Sequence, residues 1–388
     1  MKKTLWFKVW IAFLSGCIAA FQIGKTIASL TLIINDLALS LIEAGLVLSL
    51  FSLIAAFAGA GFGLLADRVG HVNTAITGLM ISACGSFYGS IAPDIFILLL
   101  SRLIEGFGFI LAIVSFPSLI SRSATDADRP LVMGLWGAFM PTGIGLSMLV
   151  TPWLLEWHSW RGLWNDIGIF MLLWTVILYA TFRHTPKTSG PQQNSRELIR
   201  TILKPGPLYV VAGFVCYSSL YQSLTSFLPT ILISDYGVAI GNAAHFGAFV
   251  VIGNIIGNLS AGWLIGRGAN PWKLLTLSFI AMLICASLVF ATFSDPIIKV
   301  SAGFLFSAFG GIFPGTAFVL AARFSVSPAQ MALMAGLMLQ GAGIGQTIGP
   351  LMVSSIVEFN SSWNYANLIV LLMTGVGLFC ALQIRRQT

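Results

Sequence analysis

Apolar runs long enough to cross a bilayer recur from one end of this 388-residue chain to the other. A membrane-spanning helix needs about 20 apolar residues in a row. Runs of that length are read at 9–34, 42–65, 73–92, 95–120, 131–155, 164–182, 207–232, 241–265, 272–293, 297–321, 329–356 and 364–384. The breaks carry turn or charge signals, among them Asn35-Asp36, Asp67-Arg68-Val69-Gly70, Pro93-Asp94, Asp126 to Pro130, Asp295-Pro296 and Ser327-Pro328. Only 9% of the residues are charged, against about 25% in a soluble domain. No soluble domain of any size is visible. The expected class is therefore an all-α integral membrane protein with twelve transmembrane helices.

The net charge of +7 invites a nucleic-acid reading, and its placement argues against one. With the N-terminus on the cytoplasmic side, all but four of the 20 Lys and Arg residues fall on that side too. Arg161 and Lys299 fall on the outer side, and Lys25 and Arg102 lie inside spans. This positive-inside bias expects both termini in the cytoplasm and an even number of spans. The expected location is a bacterial cytoplasmic membrane, with the lipid bilayer as partner and no nucleic acid. Leu14, Ser15, Gly16 and Cys17 mimic the end of a lipoprotein signal, but the apolar run continues to Ile34, so the segment is read as a retained first span. The five cysteines are scattered through apolar runs without ligand spacing and read as small packing residues. There is no Gly-rich phosphate loop, His/carboxylate metal box or nucleophile triad, so neither an enzyme nor a cofactor is expected.

Residues 183–206 form the longest polar stretch and read as a cytoplasmic linker between two bundles, 1–182 and 207–388. The two parts resemble each other. Gly63, Asp67 and Arg68 face Gly262, Gly266 and Arg267. Gly143, Ile144 and Gly145 face Gly343, Ile344 and Gly345, and Trp160 faces Trp363. Two parallel six-helix repeats around a central cavity are expected, with a binding site near the midplane between them.

The stretch GFGLLADRVGHV, residues 61–72, resembles the loop after the second span in the major facilitator superfamily: Gly63, Asp67, Arg68 and Gly70 match its pattern, while His71 and Val72 depart from it. Arg102, Gly106 and Gly108 match that family's fourth-span pattern. The resemblance covers essentially the whole chain. It implies a secondary transporter, by default a monomer, in which spans 1, 4, 7 and 10 line the cavity. It also implies that Asp67 latches the halves on the cytoplasmic side, at the start of span 11. An acid there is favoured by the positive end of a helix. In the fifth span, Pro141, Gly143 and Gly145 partly resemble the glycine-proline pattern of antiporters, and a kinked, closely packed helix accounts for them equally well.

Charges inside spans are costly and commonly mark transport paths or proton relays. Arg102 and Glu105 are three apart and, alone, could be a self-neutralising pair. Lys25 changes the reading. Counted by helical rise, Lys25 lies roughly 14 Å below the outer end of its span, Arg102 roughly 10 Å and Glu105 roughly 15 Å. The resemblance puts all three on the cavity. Two cations and one anion leave an excess positive charge, which suits a small anionic substrate held by Arg102 and Lys25. Glu105 is the expected proton carrier. Gln22 lies one turn from Lys25. From the second half, Tyr217, Tyr221 and Gln222 of span 7 and Gln340 of span 11 are the expected substrate contacts, although such polar groups also serve as helix-helix glue. Pro117 and Pro314 are expected to kink spans 4 and 10, and most tryptophans, Trp160 and Trp164 among them, to form an interfacial belt. The function these residues support is proton-coupled transport of a small organic anion. A proton-coupled drug or metabolite exporter is the alternative.

Overall fold

The computed structural model describes residues 3–125, 127–184, 204–325 and 328–387. The described residues form helices and the turns between them. The helices are α1 (Trp6–Leu37), α2 (Leu41–Val69), α3 (His71–Ser90), α4 (Ile95–Ile113), α5 (Phe116–Ser123), α6 (Arg129–Gly137), α7 (Phe139–Trp157), α8 (Trp160–Phe182), α9 (Pro205–Tyr236), α10 (Ile240–Gly266), α11 (Pro271–Phe290), α12 (Pro296–Phe324), α13 (Pro328–Asn360) and α14 (Ala366–Arg385). Among the described residues, seven helices are long and apolar enough to cross a membrane, and the pair α6–α7 makes an eighth.

The ends follow from local chemistry. Ser40 and Glu43 close a capping box at the start of α2, and the Asp94 and Asp295 carboxylates accept the N–H groups of Ile97 and Ile298 at the starts of α4 and α12. Gly70, at φ 100°, ends α2, and Gly237, at φ 64°, ends α9; both conformations are open to glycine without strain. Two helices break where a proline removes an N–H four residues on. Pro117 cannot donate to the Ile113 carbonyl, and α4 ends at Ile113; Pro141 cannot donate to that of Gly137, and α6 ends at Gly137. The α6–α7 bend is 46°. At Pro314 the helix is not interrupted: α12 runs on from Pro296 to Phe324.

Within the first half α1 packs on α7, α3 on α4 and α8, and α2 on α4. The same pairings recur in the second: α9 on α13, α11 on α12 and α14, and α10 on α12. The halves meet where α2 lies along α13 and α7 along α10. The N-terminus sits at the end that carries the α5–α6 turn, where Thr4 bonds Asp128 at 2.5 Å. The opposite, far end of the first half is tied by Trp160 and Arg161 to Asp36, and by Arg161 to the Ala92 carbonyl at 2.9 Å. Most of the linker expected at 183–206 falls at 185–203, outside the described residues.

Candidate functional site

The helices of the first half bring three charges to one point. Lys25 on α1 and Arg102 and Glu105 on α4 are 0%, 1% and 0% exposed. The Lys25 ammonium donates to Glu105 Oε1 at 2.7 Å, and Arg102 Nη1 bonds the other carboxylate oxygen. One carboxylate thus serves two cations. The common depth counted from the sequence is met by direct contact.

The further hydrogen bonds of the cluster stay inside the same half, and the Trp164 indole N–H is buried without a partner among the described residues. The Lys25 ammonium also donates to the Ser86 hydroxyl on α3 and lies 4.2 Å from the centre of the Trp164 ring on α8. Ser86 in turn donates its hydroxyl to the Trp164 carbonyl at 3.0 Å. Arg102 donates from Nε to the Val47 carbonyl on α2 and from Nη1 to the Gln22 carbonyl on α1, both at 3.1 Å, and lies over the Phe51 ring at 4.6 Å. Gln22 donates to the Ser82 carbonyl at 3.3 Å and to the Met171 sulfur at 2.8 Å. Ser82 in turn donates to the Glu105 backbone carbonyl at 3.0 Å. Burying a charge costs several kcal/mol even after relaxation, so such a cluster persists only with its lone pairs and protons paired.

This differs from the expected cavity between the halves. The described partners of the triad come from α1, α2, α3, α4 and α8, all in the first half. The excess of one positive charge is as expected, but it is sealed among helices.

In the second half Tyr217 and Tyr221 stack at 5.7 Å, and Tyr217 stacks on Phe313 at 5.2 Å. Asn254 on α10 donates to the Tyr217 hydroxyl at 3.0 Å and to the Ser307 carbonyl on α12 at 3.3 Å. Gln222 is buried but donates along its own helix, to Ser226 at 2.9 Å. Gln340 stands apart from these residues: it donates to the Phe57 carbonyl at 3.3 Å, across the α2–α13 contact. Of the expected latch residues, Arg68 is exposed and Gly70 ends α2, while the side-chain positions of Gly63 and Asp67 lie outside the described residues. An apolar groove lined by Leu351, Met352, Phe359 and Ile369 lies between α13 and α14, away from the triad.

Sequence reading missed Ser86, Ser82 and Met171 as partners. Ser82 and Ser86 are one turn apart on α3, as polar residues of one face are, and that was the available signal. Trp164, expected in the interfacial belt, is fully buried, and Trp160 nearly so, whereas Trp153, Trp157 and Trp263 are exposed.

The profile of the Major Facilitator Superfamily matches residues 12–339. The chain is 25% identical over 312 residues to the cyanate transport protein CynX of Escherichia coli, covering 79% of each chain. It is 25% identical over 260 residues to the quinolone resistance protein NorA of Staphylococcus aureus, covering 64% of each. Among solved structures, a bacterial homologue of the human lysosomal transporter Spinster, in an inward-facing and occupied conformation, superposes with a TM-score of 0.81 at 16% identity, over 100% of this chain and 98% of that one. The chain belongs to the major facilitator superfamily, a family of multi-pass membrane transporters and not of enzymes.

Proposed function

We propose that the protein moves a small organic anion across the membrane together with a proton, by alternating access between two six-helix halves, 1–182 and 207–388. In this reading the chain crosses a bacterial cytoplasmic membrane twelve times as a monomer, and both termini lie in the cytoplasm. The observation that carries the reading is the single Glu105 carboxylate shared by Lys25 and Arg102 with no water access. A proton on Glu105 leaves two buried cations with no counter-charge, an arrangement that costs several kcal/mol. An anion entering between the halves restores the balance by pairing with Arg102 and Lys25. Conversely, an anion that draws the cations away loosens their hold on the Glu105 carboxylate and favours its protonation. Proton and anion are thereby linked through one site, with Gln22 bracing it. Tyr217, Tyr221 and Gln222 form the facing wall, Gln340 contributes from the α2–α13 contact, and Asp67 latches the cytoplasmic side. The likeness to a cyanate transporter supports an anionic cargo.

A drug exporter is the second reading. The likeness to a quinolone resistance protein and the break beside Pro141 favour it. The surplus cation of the triad opposes a cationic cargo.

Uptake of radiolabelled cyanate and benzoate into vesicles holding the purified protein, with and without an imposed pH gradient, tests this. The parent is expected to take up one of these anions faster when the outside is acid. Lys25→Gln and Arg102→Gln are expected to lose uptake. Glu105→Gln is expected to keep anion exchange and lose the gradient effect. Gradient-driven uptake that survives in Glu105→Gln removes the proton role. Uptake of neither anion, with efflux of a cationic dye, turns the reading to the exporter.

A further inference from the structure

Glu358 stands in the last turn of α13 and is exposed. That is a poor place for an acid on its own helix, because the C-terminal end of a helix carries partial negative charge. Its partner lies across the halves. Glu358 Oε2 accepts the backbone N–H of Ile42 at 2.6 Å. Ile42 is the second residue of α2, and its N–H is one of the four that the start of a helix leaves unbonded. A carboxylate accepting a helix N–H makes a charge-assisted bond.

The start of α2 does not need Glu358 for its own closure. Ser40 accepts the Glu43 N–H at 3.2 Å, and the Glu43 carboxylate accepts the Ser40 N–H at 2.8 Å, so the capping box is complete within the helix. Glu358 adds a second carboxylate, supplied by the other half, to the positive end of α2. Deeper along the same pair of helices the described contacts are neutral: Ser52 donates to Gln346 at 2.8 Å and Gln340 to the Phe57 carbonyl at 3.3 Å. Among the described hydrogen bonds between the halves, the Glu358 bond is the one with a charged partner.

We infer that Glu358 is a latch of the far end: its carboxylate ties the start of α2 to the end of α13 while that end is shut, and it releases the Ile42 N–H when the end opens. The inference rests on the alternating-access reading. Under that reading α2 and α13 carry a latch at each end, Glu358 on the start of α2 and Asp67 on the start of α13, engaged in opposite states. Loss of Glu358 then shifts the population toward the far-open state without touching the buried triad.

Spin labels at Ile91 and Phe293 report on this. Both positions lie in far-end turns of opposite halves, 71% and 84% exposed. Pulsed electron resonance on the labelled, full-length protein in lipid nanodiscs reads the distance between them, with no substrate needed. The parent is expected to favour the shorter distance. Glu358→Gln and Glu358→Ala are expected to raise the ratio of longer to shorter distances about two- to fivefold, the size of one charge on a helix end. Glu358→Lys is expected to raise it further, because a cation there repels the start of α2. A parent with two distances and unchanged ratios in all three variants overturns the latch and leaves alternating access standing. A single distance in every variant, and at every pH and anion concentration, overturns both. The exposed position lets each variant fold, and an unchanged unfolding midpoint checks it.

Discussion

In the first half, α1 sends Lys25 toward Glu105, and α8 covers the pair with Trp164. In the second half, α9 sends Tyr217 toward Asn254, and Phe313 covers that pair. The helix pairings around the two points are the same, and the chemistry is opposite: three charges on one side, rings and amides on the other. The frame therefore does not demand charge. Neutral groups pack between the corresponding helices of the second half, which makes the triad of the first half hard to explain as packing. A buried ion pair is commonly no more stabilising than apolar residues of the same volume. What the charges add is a response to protons and ions, and the neutral half provides a fixed wall against which that response can act.

The largest effect should come from breaking the triad unevenly. Glu105→Ala leaves Lys25 and Arg102 buried and unpaired, and is expected to cost about 3–5 kcal/mol of stability. Replacing all three together, with Lys25→Met, Arg102→Met and Glu105→Leu, is expected to return stability to near the parent's while abolishing transport. In the neutral half, Tyr217→Phe removes one hydrogen bond and is expected to cost about 1–3 kcal/mol, through the Asn254 amide left behind. Denaturation of the purified protein in detergent measures all three. If the triple variant is as unstable as Glu105→Ala, uncompensated charge is not the cause and the contrast between the halves collapses.

A test of the shared frame comes next in size. A Cβ on Gly106 of α4 would strike the Phe51 carbonyl on α2, and one on Gly311 of α12 would strike the Asn254 carbonyl on α10. Both contacts are backbone against backbone, so neither can yield by turning a side chain. Gly106→Ala and Gly311→Ala are each expected to cost about 1–3 kcal/mol, and by similar amounts despite the different chemistry beside them. A large penalty in one half and none in the other would show that the likeness of the pairings stops short of the close contacts.

Much of this frame could be read from residues alone, because helix ends are decided locally. Asp94, Asp295 and Gly70 mark boundaries by bonds or backbone angles that need no distant partner. The depth of Lys25, Arg102 and Glu105 was legible for a similar reason, since rise per residue is constant. The direction in which they point was not. From Ile11 to Leu30 α1 is buried or half-buried on every side, so its polar residues Ser15, Gln22, Lys25 and Ser29 could face the other half as readily as their own bundle. Lys25 turns inward to Ser86 and Trp164 rather than toward the other half. Trp164 was misread for the same reason: a tryptophan near a run's end suits an interface by depth, and only the approach of α3 and α1 buries it. Glu358 gave no sign at all, because its partner is a backbone N–H in the other half.

The smallest contrast lies at the far end, where each half holds a basic residue. Lys299 of α12 is buried and donates to the carbonyls of Val289 and Ala291, both at 2.6 Å, closing the end of α11. Arg161 of α8 meets Asp36 in the open, the two side chains being 33% and 44% exposed. The sequence puts both residues on one side of the membrane, but their surroundings rank them differently. Lys299→Met leaves two carbonyls without their donor and is expected to cost about 1–3 kcal/mol. Asp36→Asn breaks an ion pair already screened by water and is expected to cost about 0.2–1 kcal/mol. Salt separates the two further. An exposed pair weakens as the screening length falls, from about 10 Å at 0.1 M salt to about 3 Å at 1 M, so the Asp36→Asn penalty should fade over that range. The Lys299→Met penalty should persist, because no ion reaches those carbonyls. Equal fading of both penalties would mean that Lys299 is held by charge at the surface, as Arg161 is, and not by the buried end of α11.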